Sequence, residues 1–277
     1  SGFLNPTNQY FELLKKADLK QVDEVKNLKI KGIYIDEKNF RFYPYQTIAS
    51  HVLGFTSPSA DSNLLSGKYG IEFYFNEELA GKNGELKNDK VEGPEHGKQI
   101  VLTIDPTVQK RGEIILSDLI EKYDAEGGSV IVQDPNTGKI VALGSLPSFD
   151  PNNYSKYPLS NWKNSAVLDS YEPGSTFKVV IVASALDAGV VRPSDVFDCE
   201  NGSLRIGNKV IKDAHPHGKL SVADIIRVSS NIGAYKVEQK LSWDGIYSYI
   251  RKFGFGQVTG IDFPGEASGI LSSPRSW

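Results

Sequence analysis

The sequence predicts an α+β fold, in which helices pack on an antiparallel sheet and a smaller module of mixed structure comes first. Two observations support this prediction: a pair of apolar strand-like segments joined by a turn sequence, and a strongly apolar helical segment that ends at a glycine. The order of the elements, helix, hairpin, buried helix and further helices, is typical of α+β proteins. A chain of 277 residues is long enough to bury a substantial core.

The N-terminal part has the less regular pattern. Residues 11–20 place their apolar side chains on one side of a short amphipathic helix, and residues 28–35 alternate with the period of a strand. Residues 57–67 are rich in Ser, Asn, Asp and Pro, which predicts a loop. The polar stretch 81–97 predicts a linker or an exposed hairpin.

We place the domain boundary near Gly97, so that an N-terminal module covers residues 1–97 and a second domain covers residues 98–277. The second domain begins with a predicted strand from Gln99 to Ile104. Asp105-Pro106 then supplies an N-cap and a proline at the first helical position, and the apolar pattern extends the helix to about residue 123.

A β-hairpin and a buried helix follow. Residues 128–132 and 140–146 are apolar strands, and Asp134-Pro135-Asn136-Thr137-Gly138 between them is a turn sequence whose glycine can adopt a positive φ. The strongly apolar helix extends from about Ser175 to Ala188, and it ends at Gly189, a residue type favoured just after a helix.

The composition argues against several classes of protein. With 31 basic and 34 acidic side chains and a net charge of −3, the chain has no excess of positive charge, and no nucleic-acid partner is expected. Cys199 is the single cysteine, so an internal disulfide and a CxxC metal site are excluded. The chain contains no apolar run long enough to span a membrane, and its start does not resemble a signal peptide.

Four residues would be the natural ligands of a metal site: Asp213, His215, His217 and Cys199. The proline between the two histidines favours an extended backbone, not the helical spacing of paired ligands. A polar loop is the favoured interpretation, and no metal or other cofactor is expected.

The predicted chemistry lies in Glu172-Pro173-Gly174-Ser175-Thr176-Phe177-Lys178. In S-x-x-K the hydroxyl and the amine lie on one face of a helix, so the two groups can meet within one turn. Pro173-Gly174 places Ser175 at the helix start, where unpaired N–H groups favour a developing negative charge. Burial of the lysine stem disfavours the ammonium, so that some neutral amine can act as a base. Ser175 is the candidate nucleophile and Lys178 is its candidate base.

The same spacing also occurs in Ser160-Asn161-Trp162-Lys163, so S-x-x-K is not specific by itself. This copy lies in a polar loop, with Pro158 before it and no apolar helix after it, and it is interpreted as a chance match. The alternative for residues 175–189 is a core helix with one lysine whose charged end reaches water. That alternative does not explain why the serine and the lysine both fall in the first turn.

A second motif, Val228-Ser229-Ser230-Asn231, is the single S-x-N match in the chain. It follows a helix that Ser221-Val222-Ala223-Asp224 is expected to open, because this segment has the form of a capping box. Ser229 is a candidate member of a proton relay with the nucleophile and its base, since a leaving amine must be protonated. The Asn231 amide is a candidate for holding a substrate carbonyl. Taken alone, S-x-N is more often a helix end rich in capping residues.

With both motifs in this order, the sequence resembles the class B penicillin-binding proteins, the transpeptidases of peptidoglycan synthesis, from about residue 30 to residue 277. Segments similar to the family's N-terminal pedestal module are Arg41-Phe42-Tyr43-Pro44, His51-Val52-Leu53-Gly54, Gly70-Ile71-Glu72 and Leu79-Ala80-Gly81. Segments similar to its transpeptidase domain are residues 102–105, 145–152, 171–178 and 252–256. Segments closest to the cell-division (septal) branch are Ile211-Lys212-Asp213, His217 and Ser229-Ser230-Asn231-Ile232-Gly233.

The resemblance implies a transpeptidase domain of the penicillin-binding and serine β-lactamase-like fold, and attack by Ser175 on the penultimate D-alanyl carbonyl of a stem pentapeptide. D-Alanine leaves, and the acyl group passes to an amine on a neighbouring strand. Peptidoglycan stem peptides are the implied substrates, and β-lactam antibiotics would acylate the same serine. The implied protein partners are a membrane glycosyltransferase and other division proteins. The implied location is the extracytoplasmic (periplasmic) face of the cell membrane, with an N-terminal anchor outside this sequence. No cofactor is implied.

The sequence departs from the family pattern at the third motif, K-[ST]-G. Thr137-Gly138 follows Asn136, and Thr259-Gly260 follows Val258, so neither pair completes the motif. The family has this motif well downstream of S-x-N, so the rest of the domain is expected to lie beyond Trp277. Loss of one oxyanion donor costs about 10²–10³ in rate, and the chain by itself is expected to be acylated slowly.

Two other functions stay open. A β-lactamase or a β-lactam-sensing domain shares the nucleophile and the base, but a β-lactamase hydrolyses its acyl-enzyme with a placed water, and the long leading module argues against this class. A non-catalytic division scaffold would bind partners through residues 1–96, and the missing third motif permits it.

Overall fold

The structure is a computed structural model, and it describes residues 11–14, 16–36, 40–59, 65–82, 84–87 and 90–276. The α-helices in these ranges are α1 (Leu19–Asn27), α2 (Ser50–Leu53), α3 (Gly70–Tyr74), α4 (Asn76–Ala80), α5 (Pro106–Tyr123), α6 (Ser165–Leu168), α7 (Lys178–Asp187), α8 (Val222–Val228), α9 (Asn231–Glu238) and α10 (Trp243–Lys252). The strands are β1 (Thr56–Pro58), β2 (Leu65–Gly67), β3 (Glu85–Lys87), β4 (Lys90–Glu92), β5 (Gly128–Gln133), β6 (Ile140–Leu146), β7 (Val196–Asp198), β8 (Ser203–Ile206), β9 (Lys209–Lys212) and β10 (Lys219–Ser221).

The strands of the described ranges form antiparallel pairs, β1 with β2, β3 with β4, β5 with β6, β7 with β10, and β8 with β9. The longest pair is the predicted hairpin, which extends from Gly128 opposite Leu146 to Gln133 opposite Ile140. Its turn ends at Gly138, whose φ is +74°, a value that glycine adopts without a steric penalty. The antiparallel pairs and the helices between them confirm the predicted α+β class.

Helix α5 begins and ends where the sequence predicts. The Asp105 carboxylate accepts hydrogen bonds from the N–H groups two and three residues further on, at 2.8 and 3.0 Å, and proline occupies the first helical position. Gln109 on this helix is fully buried and hydrogen-bonds both backbone groups of Leu143 in β6, at 2.8 and 2.9 Å. This amide pair fixes α5 against the hairpin.

Two of the predicted N-terminal elements are wrong. Residues 11–14 and 16–18 are not helical, because Asp18 caps a helix that begins only at Leu19. Its carboxylate accepts from the Gln21 N–H at 2.8 Å, and the Gln21 side chain accepts from the Asp18 N–H at 3.0 Å, which is a reciprocal capping box. The stretch 28–35 is not a strand, because its backbone turns through positive φ at Lys29 and again three residues later.

Other loop and strand predictions are partly correct. The stretch 57–67 is not a loop throughout, since β1 and β2 occupy its two ends, and residues 60–64 lie outside the described residues. Of the two alternatives predicted for 81–97, a linker and a hairpin, the structure has the hairpin, formed by β3 and β4. The strand predicted over 99–104 is wrong, because this segment forms no ladder. It lies beside the hairpin, where the Thr103 hydroxyl donates to the Ile140 carbonyl at 2.5 Å and the Asp105 N–H donates to the Val141 carbonyl at 2.9 Å.

The apolar core around the second motif is formed by α7, α8 and α9. Ala185, Ile225, Ile232 and Val237 are each fully buried in it. These helices therefore hold the two predicted motifs on one packed unit. Two further groups of buried residues join the N-terminal module to the second domain. Val52 packs with Leu143 of the hairpin, and Phe55 packs with Phe149 of the loop after it.

Within the described residues, no helix combines the length and the apolar character that a membrane crossing requires. The domain boundary near Gly97 stays a prediction.

Candidate active site

The nucleophile segment is helical from its first residue, as predicted, but its first turn is tighter than an α-helix. Gly174–Phe177 form a 3₁₀ turn, and α7 continues from Lys178 without a break. Gly174 has a φ of +58°, which lets the chain turn into the helix immediately before Ser175. Side chains three residues apart eclipse one another in a 3₁₀ turn. This geometry places the lysine amine over the serine hydroxyl.

Lys178 is at the centre of the site. Its Nζ lies 3.1 Å from Ser175 Oγ, 3.0 Å from Ser229 Oγ and 2.6 Å from the Ser229 carbonyl oxygen. One amine therefore joins the two hydroxyls that the sequence predicted as nucleophile and relay. The predicted proton relay from Ser175 through Lys178 to Ser229 has hydrogen-bond distances at both steps, and its role in catalysis stays a prediction.

The backbone at Ser229 is unusual. This residue ends α8 with a φ of +56°, a left-handed conformation that residues with a side chain adopt infrequently. The conformation turns the chain from α8 into α9 and directs both the carbonyl and the hydroxyl of Ser229 towards Lys178. Positive φ at a non-glycine residue typically costs about 1–3 kcal/mol, and such residues cluster at functional sites.

The electrostatics favour the neutral form of the Lys178 amine. Partial burial lowers the pKa of Lys178 from its ordinary value, and the negative charge of Asp213 opposes this shift without cancelling it. Desolvation disfavours the ammonium form, so the neutral amine is present at a lower pH than in an exposed lysine. A neutral amine at 3.1 Å from a hydroxyl can accept its proton.

Asn231 lies beside this centre but does not join its hydrogen bonds. Its side-chain Nδ2 donates to the Lys212 carbonyl at the end of β9, at 2.7 Å. An amide nitrogen carries two hydrogens, so this bond leaves a donor that a substrate carbonyl can use. The predicted role of Asn231 in holding substrate stays a prediction.

Asp213 is the residue that the sequence reasoning did not place in the site. Its carboxylate accepts from Asn231 N–H at 2.6 Å, from Ile232 N–H at 3.0 Å and from Ser230 Oγ at 2.7 Å. The sequence offered one indirect signal: the S-x-N turn opens a helix, and the first N–H groups of a helix need acceptors. Spacing alone does not identify which residue supplies the acceptor.

The second S-x-x-K copy has none of this geometry. Lys163 forms an ion pair with Asp169, and the Ser160 hydroxyl contacts the neighbouring Asn161 amide oxygen at 3.4 Å. No bond between Ser160 and Lys163 is present in the described residues. These contacts support the interpretation of a chance match.

The four residues that a metal site would use, Asp213, His215, His217 and Cys199, are interpreted as parts of a polar loop and of the packing. Among the residues that the structure describes, no three or more His, Cys, Asp or Glu side chains are arranged to hold a metal ion. Cys199 is fully buried against Ser230, with 3.6 Å between Sγ and Oγ, as a packing residue would be.

The family comparisons divide the chain into two matches. Residues 128–277 match the penicillin-binding protein transpeptidase domain, and residues 5–115 match the penicillin-binding protein dimerisation domain.

Curated relatives match almost the whole chain. The probable peptidoglycan D,D-transpeptidase PenA of Neisseria gonorrhoeae is 30% identical over 95% of this chain and 46% of its own length. The peptidoglycan D,D-transpeptidase FtsI of Escherichia coli is 30% identical over 99% of this chain and 47% of its own length. Stage V sporulation protein D of Bacillus subtilis is 32% identical over 93% of this chain and 42% of its own length. The chain therefore spans about half the length of these relatives.

Solved structures share the fold. A putative peptidoglycan glycosyltransferase from Atopobium parvulum superimposes with a TM-score of 0.76 at 33% identity, over 86% of this chain and 55% of the other. Penicillin binding protein 3 from Mycobacterium tuberculosis superimposes with a TM-score of 0.76 at 29% identity, over 86% of this chain and 52% of the other.

Proposed function

This chain belongs to the transpeptidase family of the penicillin-binding proteins, and on that premise we propose that it carries the nucleophile of a peptidoglycan D,D-transpeptidase, with Ser175 as the attacking residue. The single observation that supports this role most directly is the amine of Lys178 between the hydroxyls of Ser175 and Ser229, at 3.1 and 3.0 Å.

The acylation step follows from this geometry. The neutral Lys178 amine takes the proton of the Ser175 hydroxyl while the oxygen attacks the penultimate D-alanyl carbonyl of a stem peptide. The tetrahedral intermediate then collapses, and the bond from the carbonyl carbon to the terminal D-alanine nitrogen breaks. That nitrogen needs a proton to leave, and the Lys178 ammonium supplies it through the Ser229 hydroxyl. D-Alanine leaves, and an ester on Ser175 remains.

The second step transfers the acyl group. An amine on a neighbouring strand attacks the ester carbonyl, gives its proton back through the same relay, and releases the Ser175 hydroxyl. A new amide links the two peptides. A β-lactam would acylate the same serine by opening of its ring, and no leaving amine then departs from the site.

The decisive test compares two serines. In the whole product of the gene, Ser175→Ala is expected to abolish labelling by a fluorescent penicillin and cross-linking of a stem-peptide substrate. Ser160→Ala is the matched control, because it removes a serine from the chance S-x-x-K copy, and it is expected to leave both readouts at the unmodified level. Labelling that persists in Ser175→Ala would contradict the proposal.

The same proteins separate the alternative functions. A β-lactamase would turn over nitrocefin many times per molecule, whereas the proposed transpeptidase forms a stable acyl-enzyme and gives about one equivalent of product. A non-catalytic scaffold would let the Ser175→Ala gene support cell division as well as the unmodified gene does. Loss of complementation, with unchanged protein level, supports the enzyme.

We propose in addition that the 277-residue chain by itself is acylated slowly, because its sequence contains no K-[ST]-G. In penicillin-binding proteins this motif is expected to line the cleft and to supply an oxyanion donor, and loss of one such donor costs about 10²–10³ in rate. Rapid and stoichiometric labelling of the isolated chain would show that this motif is dispensable here.

The proposed setting of the enzyme is the extracytoplasmic face of the cell membrane, where stem peptides are cross-linked. In this proposal residues 1–97 form the pedestal module and residues 98–277 the transpeptidase domain. The protein partners are a membrane glycosyltransferase and other division proteins, which pull-down with a membrane fraction and mass spectrometry would test.

A further inference from the structure

Asp213 binds the turn between the two helices that carry the second motif. It follows directly on β9, and both of its carboxylate oxygens are used. Oδ1 accepts from the N–H groups of Asn231 and Ile232, at 2.6 and 3.0 Å, and Oδ2 accepts from Ser230 Oγ at 2.7 Å. These residues open α9, so the carboxylate lies at the positive end of that helix, where an anion is stabilised.

The last residue of β9, Lys212, and the residue after it, Asp213, both bind this turn. The carbonyl of Lys212 accepts from the Asn231 side chain at 2.7 Å, one residue before Asp213 binds the Asn231 backbone. Ser230 is fully buried, and its hydroxyl also accepts from the Gly233 N–H at 2.9 Å. Within the described residues, at least four hydrogen bonds therefore connect the start of α9 to Lys212 and Asp213.

The hydrogen bonds of this turn determine the orientation of Ser229. Ser229 lies between the end of α8, where its N–H donates to the Ile226 carbonyl at 3.2 Å, and the residues that Asp213 holds. Its left-handed φ is stable only if both neighbours are fixed. In this conformation its carbonyl and hydroxyl both contact Lys178, at 2.6 and 3.0 Å.

We propose that Asp213 is a positioning residue for the acyl-transfer site, whose carboxylate fixes the Ser229–Asn231 turn against Lys178 and whose charge stabilises the ammonium form of Lys178 during each proton transfer. This inference rests on the proposed function, since it assigns Asp213 a role at the same site. Asp213 touches no reacting atom, and it acts through the turn and through its field.

Other charged groups lie on α7 or on the helices packed against it. Arg227 is paired with Asp224, Lys236 with Glu200 and Asp187 with Tyr249, whereas Glu238 on α9 is partly buried and burial raises its pKa. The negative charge of Asp213 acts on Lys178, where it raises the pKa that burial lowers.

The experiment separates the position of the carboxylate from its charge. Asp213→Asn removes the charge and keeps the shape, whereas Asp213→Glu keeps the charge and displaces the oxygens. Asp224→Asn is the matched control, because Asp224 also binds a capping serine at a helix start, with 2.6 Å between Ser221 Oγ and its carboxylate, but it does not act on Lys178.

Two measurements are made on each variant. Trace acetylation with acetic anhydride over a pH series, read for Lys178 by peptide mass spectrometry, gives the midpoint of amine deprotonation in the 277-residue chain. The rate of labelling by a fluorescent penicillin is measured in the whole gene product.

Asp213→Asn is expected to move the Lys178 midpoint to lower pH, because the charge that raised the pKa is gone, and to slow acylation at least about tenfold through misplacement of the turn. Asp213→Glu is expected to keep the midpoint close to that of the unmodified chain while it slows acylation. Asp224→Asn is expected to change neither.

Several results would overturn the proposal. A midpoint unchanged in Asp213→Asn would exclude the electrostatic role, and acylation unchanged in both Asp213 variants would exclude the positioning role. If Asp213→Asn does not fold, the Asp213→Glu variant decides. A Lys178 deprotonation midpoint in Asp213→Glu equal to that of the urea-unfolded chain would mean that Asp213 contributes only to stability. Persistent labelling of Ser175→Ala would refute the proposed function, and the Lys178 midpoints would still decide the electrostatic role of Asp213.

Discussion

In the proposed mechanism the charge state of Lys178 controls acylation, and two effects act on its pKa in opposite directions. Burial lowers its pKa and is the larger effect, while the Asp213 carboxylate raises it. The amine therefore becomes neutral at a lower pH than an ordinary lysine does, and it is the neutral form that can accept the Ser175 proton. The rate of acylation should increase with pH and level off once this lowered pKa is passed. A profile that levels off only near the pKa of an exposed lysine would contradict the assignment of Lys178 as base.

The variant Lys178→Arg tests the role of Lys178 as a base and keeps the positive charge at this position. A guanidinium stays protonated, so Lys178→Arg cannot accept the serine proton, and acylation should fall by about 10²–10⁴. Lys163→Arg is the matched control in the chance S-x-x-K copy, where the lysine forms an ion pair with Asp169 and arginine can replace it. Fluorescent penicillin labelling of the whole gene product measures both. Rapid labelling of Lys178→Arg would mean that another group acts as base.

At this scale, the sequence identifies partners that a local spacing or a known motif marks, and it misses partners that neither of these marks. Ser229, 51 positions from Lys178, was predicted only because it belongs to the S-x-N motif. The contact between Ser175 and Lys178 follows from a spacing of three within one turn. Asp213 lies 18 and 19 positions from the N–H groups that it binds, and only the tertiary fold brings them together. The partner of the Asn231 amide, the Lys212 carbonyl, is equally remote in sequence.

The contact between α8 and α9 depends on one residue without a side chain. A Cβ at Gly233 would lie 2.4 Å from Ile225 Cγ1, and Ile225 is fully buried. Gly233→Ala should therefore destabilise the protein by about 1–3 kcal/mol through overpacking, although alanine is the better helix former. Because α9 starts at the second motif, the variant should also acylate more slowly. Urea unfolding and penicillin labelling measure the two effects.

The companion variant Ile225→Ala tests the cause. It removes the atoms that the new methyl group would meet, so Gly233→Ala should cost less free energy of unfolding in the Ile225→Ala background than in the unmodified chain. Equal costs in the two backgrounds would mean that the alanine acts through the backbone and not through this contact.

Elements with strong local signals are the ones that the sequence predicted correctly. The α5 helix has a capping aspartate and a proline at its start, and the β5–β6 hairpin has a turn sequence that ends in glycine. Weak amphipathic patterns failed. The alternation over 28–35 was overridden by positive φ at Lys29 and Gly32, and the first helix was set by the Asp18–Gln21 capping box, which the apolar pattern does not reveal.

On the scale of the whole molecule, the N-terminal module packs against both the hairpin, where Val52 of α2 meets Leu143 of β6, and the loop after it. Phe149, from the loop after the hairpin, is fully buried and has edge-to-face contacts with His51 and Phe55 of the module, with ring centroids 5.5 and 5.8 Å apart. The side chain of Asn152 also hydrogen-bonds both backbone groups of Tyr43, at 2.9 and 3.0 Å. A composition change near Gly97 does not reveal such contacts, since they join residues about a hundred positions apart.

This interface predicts that α2 and β6 unfold together. Removal of a fully buried phenylalanine typically costs about 3–5 kcal/mol, so Phe149→Ala should weaken both sides of the contact. In hydrogen exchange, amides of α2 and of β6 should lose protection by similar amounts. Phe253→Ala, at a half-exposed position after α10, is the control and should change neither. If α2 loses protection in Phe149→Ala while β6 keeps it, the two parts are independent folding units, and the boundary near Gly97 separates them. If both lose protection together, the N-terminal module stabilises the domain that contains Ser175.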